Sequence, residues 1–282
     1  MDNTPLITVI TVCYNTETTI TSTLRSVYDQ NFLDYEYIVI DGGSTDRTVE
    51  ILQRFEKRFY EKGVSFHIIS EKDDGIYDAM NKGVNIATGK WLNFLNAGDY
   101  YVNSNVLLDF SRRILDRKDC IFYGDFVDSL FDLKKIQIAK PLSQIVDGMV
   151  FSHQSTFIAR KLLVNSKYDE SYKIAGDYNF FLKAYKAGIK YYYLEFPVAV
   201  FVRGGISSQG SDLVYLETAK ARYENDIISE EMYESIAFEL QEPSFKTRLK
   251  KITKKCIPKV LYEKYLRSKY IRMGYSAHGI SE

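Results

Sequence analysis

Continuous apolar, β-branched runs alternate with helically spaced apolar residues over the first hundred positions of the chain. The runs that predict strands are 6–14, 35–41, 64–70 and 90–96, and the run 6–14 has the pattern of a strand buried on both faces. Between them, helical spacing such as that of Val49, Leu52, Phe55 and Phe59 predicts helices. This order predicts βαβ units and an α/β fold, with a mainly parallel central sheet and helices on both faces.

The second half of the chain follows a less regular pattern. Strands are predicted at 119–129 and 191–202, a strand antiparallel to the first at 133–142, a helix at 175–188, and mostly helix from 212 onward. The predicted domains are 1–210 and a helical, basic extension over 211–282. The first divides into two halves, 1–100 and 101–210.

Polar and acidic residues follow each of the four N-terminal strands. They are Tyr14-Asn15, Asp41 to Asp46, Glu71 to Gly75, and Asn96 to Asp99. In open α/β sheets, ligands bind outside the carboxyl ends of the strands. We therefore expect these four loops to form one ligand site.

Four segments, taken together, resemble the inverting family 2 glycosyltransferases, whose nucleotide-sugar-binding domain has the GT-A fold. The segments are ITVITVCYN (7–15), IVIDGGSTDRT (38–48), DDGIYDAMNKGVNIATGKWLNFLNAGD (73–99) and IAGDYNFFLKAYKAG (174–188). The resemblance implies an inverting, metal-dependent glycosyltransferase with a UDP-sugar as the expected donor. The expected acceptor is a glycan or a lipid-linked molecule of cell-surface polysaccharide biosynthesis. By the same resemblance, residues 1–100 are the nucleotide-binding half of the first domain and residues 101–210 the acceptor-binding half.

The resemblance also implies which residues bind the donor. They are Val12, Tyr14, Asn15, Asp41, Ser44, Asp73, Asn81, Asn96 and Asp99. Asp99 is the expected ligand of Mn²⁺ or Mg²⁺, because such cations are held by one or two carboxylates together with phosphate oxygens. The chain departs from the family pattern at Asn96 to Gly98, where acids are usual, and at Met80, where an arginine is usual.

The resemblance assigns the general base to Asp177, at the start of the helix predicted over 175–188. The family pattern has two acids there, and this chain has Gly176-Asp177. His153 and Gln154 are expected to contact the acceptor or the diphosphate, with a buried structural histidine as the alternative. For Arg203, a mobile flap that reaches the diphosphate and a plain strand-end turn remain open.

Charge is distributed unevenly, although the net charge of the chain is zero. Residues 1–243 hold 26 Lys and Arg against 35 Asp and Glu, whereas residues 244–282 hold 11 against 2. Such a basic segment with apolar residues predicts contact with an anionic membrane surface. The alternatives are a solvated helical pair packed on the acidic body and a tail that binds nothing. No nucleic-acid-binding motif accompanies it, so no nucleic-acid partner is expected.

The location expected from the sequence is cytoplasmic, and peripheral on the inner face of the cell membrane. Three cysteines without metal-ligand spacing, and no recognisable secretory signal, favour a reducing compartment.

Two other functions are compatible with an α/β sheet and acidic loops. A non-catalytic nucleotide-sugar-binding protein would explain the reduced number of acids at 96–98 and 176. A nucleotidyltransferase would require a glycine-rich, basic loop after the first strand, and residues 14–17 contain neither glycine nor lysine.

Overall fold

The computed structural model describes residues 4–204, 212–241 and 259–277. Within these ranges, nine strands form one sheet in the order β3-β2-β1-β4-β8-β6-β9-β5, with β7 paired to β6. The strands are β1 (Ile7–Cys13), β2 (Tyr35–Asp41), β3 (Ser65–Ser70), β4 (Trp91–Phe94), β5 (Tyr100–Tyr101), β6 (Ile121–Leu130), β7 (Leu133–Gln137), β8 (Thr156–Ala159) and β9 (Tyr191–Val202).

The N-terminal half of the sheet is parallel, as the alternating pattern predicts. β1 lies between β2 and β4, with Ile10 opposite Ile38 on one side and Phe94 on the other. Every residue of these three strands is buried because helices cover both faces of the sheet. Their carboxyl ends therefore meet at one edge, which carries the candidate site.

Nine helices surround the sheet in the described residues. They are α1 (Ile20–Tyr28), α2 (Thr48–Lys62), α3 (Ile76–Ile86), α4 (Val106–Arg113), α5 (Arg160–Asn165), α6 (Gly176–Lys186), α7 (Asp212–Glu224), α8 (Glu230–Gln241) and α9 (Lys259–Arg272). Alternate residues of β1 enter two separate cores, Val9 on one face and Ile10 on the other. Helices α1, α2 and α4 cover the first core, and α3, α5 and α6 cover the second.

The second half of the sheet is mixed. β8 pairs antiparallel with both β4 and β6, while β6 and β9 are parallel. The antiparallel pair expected at 119–129 and 133–142 is β6 and β7. Stacking of Phe110 on Phe157, with ring centroids 3.7 Å apart, packs α4 against β8. These strands hold the second half of the site against the first.

The C-terminal helices are fastened to the body at specific points. The Tyr275 hydroxyl donates to Asp128 at 2.5 Å, and Arg267 forms an ion pair with Asp132 at 2.6 Å. No helix in the described ranges is long and apolar enough to cross a membrane. Much of the basic segment 244–282, namely 244–258 and 278–282, lies outside the described residues, and the domain boundary at 210 stays a prediction.

Candidate active site

The loops after β1, β2 and β4 are joined at the edge of the sheet. The Gly42 amide donates to Cys13 O at 2.9 Å, and the Ala97 amide donates to Val12 O at 3.2 Å. The Val12 side chain is buried, so only its backbone faces this loop cluster. The topology thus brings together the predicted donor residues of three segments.

Tyr14 is the exposed aromatic residue of this edge. Its side chain is 60% exposed, although most large apolar side chains around it are buried. The neighbouring Asn15 has a positive φ of 49°, and its amide oxygen accepts a hydrogen bond from Thr45 N at 2.8 Å. Asn15 therefore fixes the two loops, and Tyr14 presents an open ring face of the kind that stacks on a base.

Asp41 is fully buried at the end of β2. One carboxylate oxygen accepts from Ser44 N at 3.0 Å and Ser70 Oγ at 2.6 Å, and the other accepts from Ser44 Oγ and from the Cys13 thiol. Burial raises the pKa of the Cys13 thiol above its ordinary range. Asp41 and Ser44 hold the turn together, and their contact with a nucleobase stays a prediction.

Asp73 lies against the turn that follows β2. Its carboxylate fills the space that a side chain at position 42 would take, so the glycine there is required by this packing. Burial, together with the charges of Asp78 and Asp41, raises the pKa of Asp73 above its ordinary value. The half-buried carboxylate is therefore available at the same edge as Tyr14.

The side chain of Asn81 is hydrogen-bonded to other residues of the protein. Its amide nitrogen donates to Tyr168 O at 2.9 Å and to Glu170 at 2.8 Å, and its amide oxygen accepts from Tyr168 N at 3.1 Å. The side chain is 3% exposed. These bonds tie α3 to the loop at 168–170, and a donor contact of Asn81 would require some of them to break.

Arg203 is also paired within the protein. Its guanidinium forms two hydrogen bonds with the Asp128 carboxylate and one with the Tyr270 hydroxyl at 2.8 Å. These contacts anchor α9 to the end of β9. Of the two alternatives, they favour the strand-end turn, because a reach towards the diphosphate would break a largely buried ion pair.

Asp99 is buried where the loop after β4 meets the end of β9. Its Oδ1 accepts from Val202 N at 2.8 Å, and its Oδ2 accepts from Gln154 Nε2 at 2.6 Å. Burial raises the pKa of Asp99 from 3.8 to about 7, although both hydrogen bonds act in the opposite direction. The carboxyl is therefore poised to change its charge near neutral pH.

The residues of this loop fit a divalent cation. Among the described residues, the buried side-chain oxygen of Asn96 has no hydrogen-bond partner, and the Asp99 amide donates to the Asn96 carbonyl at 3.0 Å. Carboxylate and amide oxygens are ligands that Mg²⁺ and Mn²⁺ accept. No group of three or more Asp, Glu, His or Cys side chains that could hold a metal ion occurs in the described ranges, so such a cation would need further ligands from a phosphate.

Asp177 occupies the first turn of α6. Its Oδ1 accepts from Tyr178 N at 2.8 Å, and its Oδ2 lies 3.8 Å from His153 Nδ1. The glycine before it has a physical explanation, because a Cβ at Gly176 would lie 2.8 Å from the ring of Tyr77. The aromatic ring thus takes the space of the first acid in the family pair.

A single short turn, the 3₁₀ turn His153–Ser155, links the two carboxylates. Gln154 donates to Asp99, and the adjacent His153 faces Asp177. Asn93 of β4 holds the turn by donating to Gln154 O at 3.1 Å and Thr156 O at 2.8 Å. The turn therefore couples the predicted metal ligand to the predicted base.

His153 is 5% exposed, as expected from the alternative prediction of a buried structural histidine. Burial lowers its pKa below the ordinary value, despite the opposing charge of Asp177, so the ring is neutral at pH 7. Nε2 lies 2.9 Å from the Tyr168 hydroxyl. With Tyr168 as donor, the Nδ1 proton points to the Asp177 side, and His153 acts on Asp177 rather than on an acceptor.

Sequence reasoning missed two residues of this region, Tyr77 and Glu217. Tyr77 lies in the quoted segment 73–99, but its helical position predicts only core packing. Glu217 of α7 is buried, and its carboxylate accepts from the backbone amides of residues 173–175 at 2.8–2.9 Å. Nothing in the local pattern of α7 indicates this contact.

The fold is the GT-A fold of solved glycosyltransferases. The structure of S. aureus TarS 1–349 in complex with UDP-GlcNAc has a TM-score of 0.63 at 19% identity, over 83% of this chain and 71% of that one. A Pyrobaculum calidifontis mannosyltransferase in complex with GDP-Man and Mn²⁺ has a TM-score of 0.57 at 17% identity, over 78% and 63%. These matches confirm the expected fold.

The sequence comparisons identify the family. A family model described as Glycosyl transferase family 2 matches residues 8–161, and the chain belongs to this family. A PGL/p-HBAD biosynthesis glycosyltransferase of Mycobacterium tuberculosis is 28% identical over 225 residues, or 76% of this chain and 83% of the relative. An uncharacterized glycosyltransferase of the same species is 31% identical over 190 residues, or 65% and 70%.

Proposed function

We propose that this protein is a metal-dependent, inverting glycosyltransferase that transfers a sugar from a nucleotide-sugar, with a UDP-sugar as the first candidate. The acceptor is a glycan or a lipid-linked glycan of cell-surface polysaccharide biosynthesis. The observation that supports it most strongly is the turn His153–Ser155, which places Asp99 and Asp177 on two sides of one small group of side chains.

Asp177 is the base in this mechanism. It takes the proton of the acceptor hydroxyl, whose oxygen attacks the anomeric carbon from the side opposite the diphosphate. The bond between the anomeric carbon and the diphosphate oxygen breaks, the configuration inverts, and the nucleoside diphosphate leaves. The nearby His153 is neutral, so Asp177 is not held in an ion pair that would make it a weaker base.

Asp99 and Asn96 are the residues that would hold Mg²⁺ or Mn²⁺. When bound, such a cation neutralises the negative charge of the diphosphate. Gln154 keeps the Asp99 carboxylate oriented through its 2.6 Å hydrogen bond. Tyr14 covers one face of the nucleobase, and the half-buried Asp73 lies beside it for a polar contact.

Release of nucleoside diphosphate from UDP-GlcNAc, other UDP-sugars and GDP-Man in the presence of Mn²⁺ tests the proposal. We expect Asp177→Asn to bind UDP like the wild type and to lose at least 100-fold in kcat. Asp99→Ala should lose both the metal dependence and the release. Asp226→Asn is the control, since that side chain is 90% exposed.

Inversion is tested on the sugar released in the first minutes. Proton NMR should show the β-anomer from an α-linked donor, and the α-anomer would contradict the mechanism. The second candidate function, a non-catalytic nucleotide-sugar-binding protein, is favoured by Asp99 being the single carboxylate of its loop. Tight UDP binding without any release from the donors would support that second function.

The proposed location is the cytoplasmic face of a membrane. Its support is the cationic surface of α9, where Lys264, Lys269 and Arg272 are exposed, and two free cysteines among the described residues. The protein should float with vesicles that contain phosphatidylglycerol and not with phosphatidylcholine alone. Replacing the three cations with Gln should weaken this binding, and unchanged flotation would exclude a role for α9.

A further inference from the structure

The two carboxylate oxygens of Asp177 have different surroundings. Oδ1 accepts two hydrogen bonds, from Tyr178 N at 2.8 Å and from the Tyr77 hydroxyl at 3.1 Å. Within the part of the chain that the structure describes, no group donates a hydrogen bond to Oδ2. The Nδ1 atom of His153 lies 3.8 Å from it. One oxygen is held, and the other is open to a ligand.

Tyr77 reaches this carboxylate from α3, one hundred residues earlier in the chain. Its hydroxyl proton is shared between Ile174 O, at 2.6 Å, and Asp177 Oδ1. Burial raises the pKa of Tyr77 well above its ordinary value, and the charge of Asp177 raises it further. The hydroxyl therefore stays protonated and acts as a donor.

The ring of Tyr77 is fixed as firmly as its hydroxyl. It is 3% exposed, lies against the backbone of Gly176, and contacts the ring of Tyr168 with centroids 5.7 Å apart. A larger residue at position 176 would displace it. The glycine that replaces the first acid of the family pair thus makes room for a tyrosine that contacts the remaining acid.

We propose that Tyr77 is a positioning residue for the base, and that Oδ2 of Asp177 is the atom that takes the acceptor proton. This inference rests on the proposed function, in which Asp177 is the base. The bonds from Tyr77 and Tyr178 N fix the plane of the carboxylate and occupy one oxygen, so that the other, Oδ2, has no donor among the described residues. Oδ2 then faces the acceptor side in a fixed direction, which lowers the cost of reaching the reactive geometry.

Tyr77→Phe tests this role, with Tyr35→Phe as the matched control. Tyr35 of β2 is also 3% exposed, and its hydroxyl donates to a backbone carbonyl, Val27 O, at 2.8 Å. It lies in the first core, whereas α6, which carries Asp177, packs on the second. With the donor that the wild type cleaves fastest, we expect Tyr77→Phe to lower kcat about tenfold and leave the donor KM unchanged. The control should stay within about twofold of the wild type.

The pH profile of kcat gives a second readout that a merely structural role would not move. Loss of a hydrogen bond to the charged carboxylate disfavours the charged form, so the acid limb should shift to higher pH in Tyr77→Phe. The titratable groups that face Asp177 are Tyr77 of α3, His153 of the 3₁₀ turn and Tyr168 of the loop before α6. Burial keeps Tyr77 and Tyr168 protonated on this limb, and His153 is present in the wild type and in both variants, so a shift confined to Tyr77→Phe reports the lost hydrogen bond.

An NMR titration of the ¹³C-labelled aspartate carboxyls decides the inference without any turnover. Asp177→Asn identifies the signal, which should titrate at higher pH in Tyr77→Phe and at the wild-type pH in Tyr35→Phe. An unmoved signal together with wild-type kcat in Tyr77→Phe would overturn the inference. Full activity of Asp177→Asn would instead overturn the proposed function, so the two failures are distinguishable.

Discussion

The pH dependence of stability should report directly on the buried carboxyl of Asp99. Burial raises its pKa from 3.8 to about 7, because the ion loses water that Val202 N and Gln154 replace only in part. Asp99→Asn keeps the shape of the side chain and removes the titrating proton. The comparison of the two proteins therefore isolates this one ionisation.

The sign follows from proton linkage. Because the folded-state pKa lies above the unfolded value, the unfolded chain releases the Asp99 proton near pH 4, while the folded protein keeps it until about pH 7. The stability from this group is full below pH 4 and is lost as the pH rises to 7. The loss is about 1.4 kcal/mol for each pH unit, or about 3 kcal/mol between pH 5 and pH 7.

Urea unfolding in the presence of a chelator measures this difference, with the fluorescence of the single tryptophan, the buried Trp91, as the signal. The free energy of unfolding of Asp99→Asn, relative to the wild type, should rise by about 3 kcal/mol from pH 5 to pH 7. Asp226→Asn, at a side chain that is 90% exposed, should show no such trend. A pH-independent difference for Asp99→Asn would refute the reasoning.

Three further predictions concern other contacts of the site. Tyr14→Ala should weaken UDP binding about 5- to 100-fold by calorimetry if the exposed ring stacks on the base, and an unchanged Kd would exclude that stacking. Glu217→Ala leaves the amides of residues 173–175 without their acceptor, so the free energy of unfolding in urea should fall by about 3 kcal/mol. A fall of less than about 1 kcal/mol would contradict a stabilising role for these three hydrogen bonds. Gly176→Ala should cost about 1–3 kcal/mol because the new Cβ would press on Tyr77, and equal stability would mean that the ring can move aside.

The helices and strands were predictable from the sequence with small errors at their ends. The apolar run 191–202 coincides with β9, and the runs at 35–41 and 6–14 coincide with β2 and, within one residue at each end, β1. The runs of β1 and β2 are informative because burial on both faces of a sheet selects apolar residues, whereas β9 is buried over only part of its length. The polar loops after the strands followed from the same pattern, and with them the edge that holds Asp99.

Roles inside the site were only partly predictable. A local motif marks Asp41, Asn81 and Arg203 as polar residues near functional loops, but it does not indicate their partners. The structure engages Asn81 with Tyr168 and Arg203 with Asp128, so neither side chain projects freely. Side-chain pairing of this kind depends on which loops the topology brings together.

The sequence by itself determined the alternating strands and helices, the acidic edge of the sheet and the family, since each of these is written in short segments. Only the tertiary structure decided that Gln154 and His153 connect Asp99 to Asp177, and that Tyr77 holds the base. The physical reason is distance along the chain. Local periodicity records whether a residue is buried, whereas contacts between residues 24 to 100 positions apart exist only once the sheet order has been set.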